Sequence, residues 1–143
     1  MSYLDDLKDV LVSELQAAST WATDINDGKF KPVVSEPYQE YHLIKNGFLR
    51  PSFGFGKTSF PKYRMQVNLF SPAKLGELPL TRQADIIADH FYPTHGRGRE
   101  IPFGNHFIYV NDLPEPGPLF RGEVHHMQVL DILFWCQINP TNS

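Results

Sequence analysis

The six histidines are the residues of this chain that could serve in the most kinds of functional site, because imidazole both binds metals and transfers protons near neutral pH. His90 and His95 are separated by a helix-ending proline, and His125 and His126 are neighbours on a predicted strand, so their side chains point to opposite faces. Zinc sites need three or four converging ligands, and the chain has neither a cysteine pair nor a His-Glu-x-x-His pattern. A small metal-dependent enzyme stays open as an alternative, with a site built from scattered residues such as His90, His95 and His106.

Other candidate chemistry is weaker. The segment Gly54-Phe-Gly-Lys-Thr58 resembles a phosphate-binding loop, but Pro51 stands where that pattern needs its first glycine, and a strand follows where a helix should begin. The single cysteine, Cys136, lies in an apolar run and is predicted to be buried. Asp85 and Asp89 are an i, i+4 pair expected on a solvated helix face. We therefore expect a protein that is not an enzyme, with no catalytic residue, cofactor or metal ligand.

Length and composition indicate one globular domain spanning residues 1–143. Hydrophobic residues make up 41% of the chain and charged residues 20%, which is close to the average for globular proteins. The net charge of -3 gives no electrostatic reason to expect a sequence-specific nucleic-acid partner. The amino terminus does not resemble a signal peptide, and no apolar run is long enough to span a membrane. We therefore expect synthesis and assembly in a cytoplasm, without a membrane partner.

The spacing of apolar residues predicts an α+β fold with two principal helices packed on a twisted, mostly antiparallel sheet of four to five strands. Apolar residues recur at helical spacing over residues 4–18 and 80–91, whereas Met65, Val67 and Leu69 alternate with polar residues as in a half-buried strand. The predicted core consists of Leu7, Leu11, Leu15, Met65, Val67, Leu69, Ile87, Phe91, Ile108, Leu130, Ile132 and Phe134.

The remaining segments are predicted from the same patterns. Residues 20–37 should be an extended connection with one short strand, and residues 101–110 a strand interrupted near Phe103-Gly104. In residues 38–50, Asn46-Gly47 is compatible with a type I′ hairpin turn or with a bend in one strand, and one bent strand is the prediction. Residues 111–122, with three prolines, are predicted to be a turn region. The last strand, residues 123–138, should be central, and its change of apolar phase indicates a β-bulge or burial on both faces.

Two loops carry the candidate contact residues. Residues 51–61 form a predicted loop with three phenylalanines, which either fold back on the domain or contact a partner. Residues 96–100 hold two arginines that could bind an anion, or form a salt bridge with Glu100 across a subunit boundary. The candidate interface residues are Phe53, Phe55, Lys57, Phe60, Arg97, Arg99 and Glu100.

Several short sequence segments and their order along the chain resemble those of a known family. A leading helix and a bent strand ending at Leu49-Arg50-Pro51 come first. The strand Gln-Val-Asn-Leu-Phe within residues 63–70, a turn at Gly76, the helix within residues 83–93 and an apolar closing strand follow. From Tyr3 to Ile138 the chain resembles the tail-terminator and tail-completion proteins of long-tailed bacteriophages, which include a bacteriophage-related domain of unknown function.

This resemblance implies a structural virion protein with no active site. Family members form a homo-oligomeric, hexameric ring on the head-proximal end of the tail tube, stop tube polymerisation and present a surface for head attachment. The implied partners are other copies of the chain, the tail-tube protein and the head connector protein. The implied location is the virion tail, assembled in the host cytoplasm and encoded by a phage or a prophage. Another head–tail joining or neck protein is the alternative structural role.

Overall fold

The computed structural model describes residues 3–48, 58–93 and 98–140. Within these ranges the protein is α+β, with two α-helices and one sheet. In chain order the elements are α1 Tyr3–Ala18, β1 Ala22–Asp24, β2 Tyr38–Phe48, β3 Pro61–Pro72, a 3₁₀ turn Ala73–Leu75, α2 Leu78–Phe91, β4 Arg99–Phe103, β5 His106–Val110, β6 Glu115–Phe120 and β7 His125–Gln137. The expectations of an α+β fold with two principal helices are therefore confirmed.

The sheet is larger and more varied than the sequence predicted. It has seven strands in the order β1-β2-β3-β7-β5-β4, with β6 paired to β7 beside β5. The strands β1 and β2 run parallel, whereas the other five pairs are antiparallel, so the sheet is mixed. The prediction of a mostly antiparallel sheet of four to five strands is thus wrong in its strand count and misses the parallel pair.

The strand β7 organises the sheet. One edge pairs with β3 in unbroken register from Lys62 to Pro72, and the other edge is shared by two shorter strands. Near the carboxyl end Tyr109 of β5 pairs with Trp135, and near the amino end Phe120 of β6 pairs with Met127. The predicted central position of β7 is confirmed. Its change of apolar phase reflects burial on both faces, since consecutive residues 128–130 are all buried.

The turn region predicted for residues 111–122 contains the strand β6, so that prediction is wrong. Glu115 and Pro116 pair with Asp131 and Leu130 of β7, and Leu119 and Phe120 pair with Gln128 and Met127. Between these pairs the register shifts, so that Gly117 and Pro118 stand opposite Val129 alone, as in a β-bulge. Proline is tolerated at bulges and on edge strands, which explains how this proline-rich sequence forms a strand.

The interrupted strand predicted for residues 101–110 is a hairpin of two strands, β4 and β5. Phe103 pairs with His106, which leaves Gly104 and Asn105 as a two-residue turn. Gly104 has φ 59°, a value that glycine adopts readily at the first position of a type II′ turn. The chain therefore reverses where the sequence indicated only an interruption.

The bend in β2 is confirmed. The strand continues through Asn46-Gly47 without becoming a hairpin, and its register against β3 shifts between Lys45 and Phe48. Gly47 has φ 100°, which L side chains rarely adopt, so the glycine permits the local irregularity.

The core lies between the helices and one face of the sheet. Leu7, Leu11 and Leu15 of α1 and the apolar stripe of α2 pack on alternate residues of β3, β5 and β7. All twelve residues predicted for the core are buried. Both described helices contact this face, and within the described residues no helix lies on the opposite face of the sheet.

Candidate interaction surface

The helix-free side of the sheet is called here the open face, and it displays the residues that alternate with the core residues. On β3 these include Arg64, Gln66 and Phe70, and on β7 they include Asp131 and Trp135. Most of these side chains are half-buried, because neighbouring strands and loops crowd them from the sides. The open face therefore presents a structured surface with a mixed apolar and polar character.

Four aromatic residues form the Trp135 cluster at one end of the open face. Trp135 stacks on Tyr109 with ring centroids 4.2 Å apart and planes inclined by 21°. Phe60 packs against Trp135 at 5.9 Å, and Phe107 lies 6.2 Å from Tyr109. Burial raises the pKa of the Tyr109 hydroxyl, with a smaller contribution from the negative charge of Glu100. All four rings are half-buried, so part of each remains accessible to a partner.

A second aromatic group, the Tyr38 cluster, lies near the other end of the same face. Tyr38 stacks on Phe70 with centroids 4.5 Å apart, while Phe30 and His125 contact the Tyr38 ring at 5.5 and 5.4 Å. Burial is the largest cause of the raised pKa of Tyr38, followed by the charge of Glu40. The connection between β1 and β2 supplies Phe30, and it thereby closes part of this cluster.

Polar side chains separate the two clusters. Asn68 donates from Nδ2 to Oε1 of Glu40 at 2.9 Å, and Gln66 donates from Nε2 to Oδ1 of Asn68 at 3.1 Å. Arg64 Nε lies 3.8 Å from Asp131 Oδ1, and neither atom has a hydrogen-bond partner although both are buried. Buried polar atoms usually find partners, so this charged pair has unused hydrogen-bonding capacity.

The structure places three of the seven candidate interface residues. Phe60 folds back onto Trp135, and Glu100 is exposed on β4. Arg99 is engaged within the subunit, where its guanidinium contacts Oε2 of Glu14 at 3.0 Å and donates to the carbonyl oxygen of His90 at 3.0 Å. Four residues lie outside the described part of the chain: Phe53, Phe55, Lys57 and Arg97. The interface assignment as a whole stays a prediction.

Two of the histidines named for the alternative metal site, His90 and His106, have other partners, whereas His125 Nε2 and His126 Nδ1 are buried without a hydrogen-bond partner among the described residues. His90 Nε2 lies 2.7 Å from Oε2 of Glu14, and His106 Nδ1 accepts a hydrogen bond from the backbone of Asn139 at 3.0 Å. His95 lies outside the described ranges. Within residues 3–48, 58–93 and 98–140, no three His, Cys, Asp or Glu side chains converge as a metal site would require.

Cys136 is fully buried in the core face of β7, as the sequence predicted. Burial raises the pKa of its thiol to about 12. A protonated, inaccessible thiol is a poor nucleophile and a poor metal ligand. Cys136 therefore packs in the core as a small hydrophobic residue.

Sequence reasoning missed most of the Trp135 cluster. Phe107 and Tyr109 flank the core residue Ile108, and Trp135 follows the core residue Phe134, so strand alternation alone assigns all three aromatic rings to the opposite face. That signal was present in the sequence. The pairing of β5 with β7, which stacks Tyr109 on Trp135, was not visible from local patterns.

Comparisons with known proteins inform the fold. No protein-family model matches this chain, and no curated protein matches it. A solved structure whose name describes no function is similar over 99% of both chains, with a TM-score of 0.66 and 18% sequence identity. Neither described helix is long and apolar enough to cross a membrane. The chain is therefore similar in its whole fold to a solved protein, and at this level of identity the likeness concerns the fold alone.

Proposed function

We propose that this protein is a structural virion subunit that forms a ring on the head-proximal end of a phage tail tube. The ring ends tube polymerisation and provides the surface to which the head connector attaches. The proposal rests on the sequence resemblance to tail-terminator proteins and on one structural observation, the helix-free open face with its accessible aromatic rings.

The open face supports a contact role through its composition. Aromatic residues are enriched in the centres of protein interfaces, because they bury a large area with few rotatable bonds. The Trp135 cluster joins one predicted contact residue, Phe60, to three rings from β5 and β7. The neighbouring Arg64 and Asp131 side chains are each about one-third exposed, so they offer a positive and a negative charge to a partner.

The experiment adds the purified protein to polymerising tail-tube subunits of its own phage, and electron microscopy measures tube length and the appearance of tube ends. We expect tubes to stop growing, with a ring-shaped density on one end, as the concentration of added protein increases. Unchanged tube lengths and bare ends over the whole concentration range would reject the proposed function. An unrelated protein of similar size and charge serves as the control.

A further inference from the structure

The exposed stripe of α2 carries two patches of opposite charge. Its residues follow helical spacing on the side facing away from the core: Leu78, Arg82, Asp85, Ile86 and Asp89. The stripe starts with apolar and positive side chains and ends with apolar and negative ones. The two ends are separated by roughly 16 Å, from a rise of about 1.5 Å per residue.

The patch at the end of α2 is called the acidic groove. It is an open depression of about 420 Å³ lined by Asp85, Ile86, Ala88, Asp89, Tyr92 and Leu113. Leu113 is 61% exposed and Ile86 is 50% exposed, so the groove offers apolar surface to a partner. Neither Asp85 nor Asp89 has an ion-pair partner among the described residues, and exposed Asp112 beside Leu113 adds negative charge.

Neither carboxylate of the acidic groove forms an ion pair within the described residues, although Arg82 precedes Asp85 at the favourable i, i+3 spacing. Asp85 and Asp89 repel each other as an i, i+4 pair, and Asp89 stands in the last turn of α2, where the helix dipole disfavours negative charge. A positively charged partner would relieve both unfavourable interactions. The groove therefore fits an apolar side chain flanked by cations.

The patch at the start of α2, called the basic knob, has that chemistry. It comprises Lys74 and Leu75 of the 3₁₀ turn together with Leu78 and Arg82. Leu75 is 53% exposed and Leu78 is 55% exposed, and neither Lys74 nor Arg82 has an ion-pair partner in the described ranges. Of the nearby carboxylates, Glu77 is already paired with Arg121, and Glu123 lines a separate depression together with Lys74.

We propose that the basic knob of one copy of the chain binds the acidic groove of a second copy. The inference rests on the proposed function and deepens it, because it names the surfaces through which the ring assembles. Knob and groove are different surfaces on one subunit, so the contact is heterologous, and repeated head-to-tail contacts close into a ring when the rotation allows it. Two cations then face two carboxylates around a shared apolar contact.

Cysteine cross-linking tests the contact without a tail tube. The variant Leu75→Cys/Leu113→Cys places one thiol in each patch, while the native Cys136 stays buried and protonated. Under mild oxidation we expect intermolecular disulfides that form a ladder beyond the dimer. The control Ile25→Cys/Leu113→Cys uses an exposed position away from the knob. Yields no higher than this control, or a ladder that ends at the dimer, would overturn the head-to-tail contact.

Charge reversal tests the complementarity. In the same cysteine background, Lys74→Glu/Arg82→Glu and Asp85→Lys/Asp89→Lys should each reduce cross-linking about tenfold or more, since like charges would then face each other. An equal mixture of the two variants should restore the ladder. The reversed knob of one variant then meets the reversed groove of the other, and the native knob meets the native groove, so both contacts join opposite charges. Unreduced cross-linking in either variant alone, or no recovery in the mixture, would contradict the proposed pairing. Circular dichroism confirms that each variant is folded.

The two proposals fail in different ways. If the wild-type protein caps tail tubes but the cysteine pair does not cross-link, the contact is wrong and the proposed function stands. If the ladder forms but tube length is unaffected, the chain assembles through these patches in another role.

Discussion

At the scale of single residues, several side chains that could take part in catalysis or metal binding instead make contacts that stabilise the fold. Glu14 illustrates this, because its carboxylate contacts both His90 and Arg99 and thereby links α1, α2 and β4. Charged groups that satisfy one another at a partly buried site favour one arrangement of these elements. Cys136 is a further case, since its reactive group is enclosed by the core.

Cys136 should be almost unreactive in the folded protein. At pH 8 we expect iodoacetamide to modify it only on unfolding, because burial leaves little thiolate. The matched control is Val34→Cys, whose added thiol replaces a side chain that is 70% exposed and should react quickly. Mass spectrometry after timed quenching measures both positions. Equal rates at positions 136 and 34 would contradict the burial of Cys136.

The same burial has a consequence for stability at high pH. The pKa of Cys136 is raised from 9.0 to about 12 by folding, so above pH 9 the unfolded chain loses a proton that the folded chain keeps. Burial also raises the pKa of Tyr63, and its hydrogen bond with Tyr3 adds to the effect. Both groups stabilise the folded state fully below the unfolded pKa. The free energy of unfolding should therefore fall as pH rises from 9 to 12, which denaturant titrations at several pH values would measure.

At the scale of secondary structure, helical and strand periodicity predicted the elements with one strongly apolar face. The helices, β3 and β7 follow from such patterns, and so does every residue of the predicted core. The strand β6 and the division of residues 99–110 into two strands did not follow, because Gly104 indicated only an interruption and the prolines of β6 favour a turn. The pairing of β5 with β7 joins residues about thirty positions apart, and local patterns do not reveal it.

Substitutions at neighbouring positions can test which side of α2 faces the core. Ile87→Ala should lower the free energy of unfolding by about 2–5 kcal/mol, since it removes a fully buried side chain and leaves a cavity. Leu69→Ala on β3 should have an effect of the same size. Ile86→Ala is the matched control, and its half-exposed side chain should change stability by less than about 0.5 kcal/mol. Losses under about 1 kcal/mol at both buried positions would mean that the core is assigned to the wrong faces.

At the scale of the whole molecule, the fold gives the subunit two separate surfaces. The helices cover one face of the sheet and leave the open face with its aromatic clusters, while the exposed stripe of α2 lies on the far side of the helix layer. A ring subunit needs such a division, because contacts with neighbouring subunits and contacts with the tube must coexist. In the proposed ring, the α2 stripe would contact the neighbouring subunits and the open face would contact the tube or connector.

This assignment predicts that the two surfaces can be disabled independently. Trp135→Ser removes the central ring of the Trp135 cluster while the buried neighbours on β7 remain. Combined with Leu75→Cys/Leu113→Cys, it should still give the cross-linked ladder, whereas on its own it should cap tail tubes poorly. Ile25→Ser, which removes a 41% exposed apolar side chain beside Lys8 of α1 and away from the open face, is the matched control and should cap normally. Tube length measured by electron microscopy, together with circular dichroism of each variant, checks both outcomes. Normal capping by a folded Trp135→Ser protein would exclude the Trp135 cluster from the contact with the tube, because the loss of its central ring should remove most of the interface's apolar anchor.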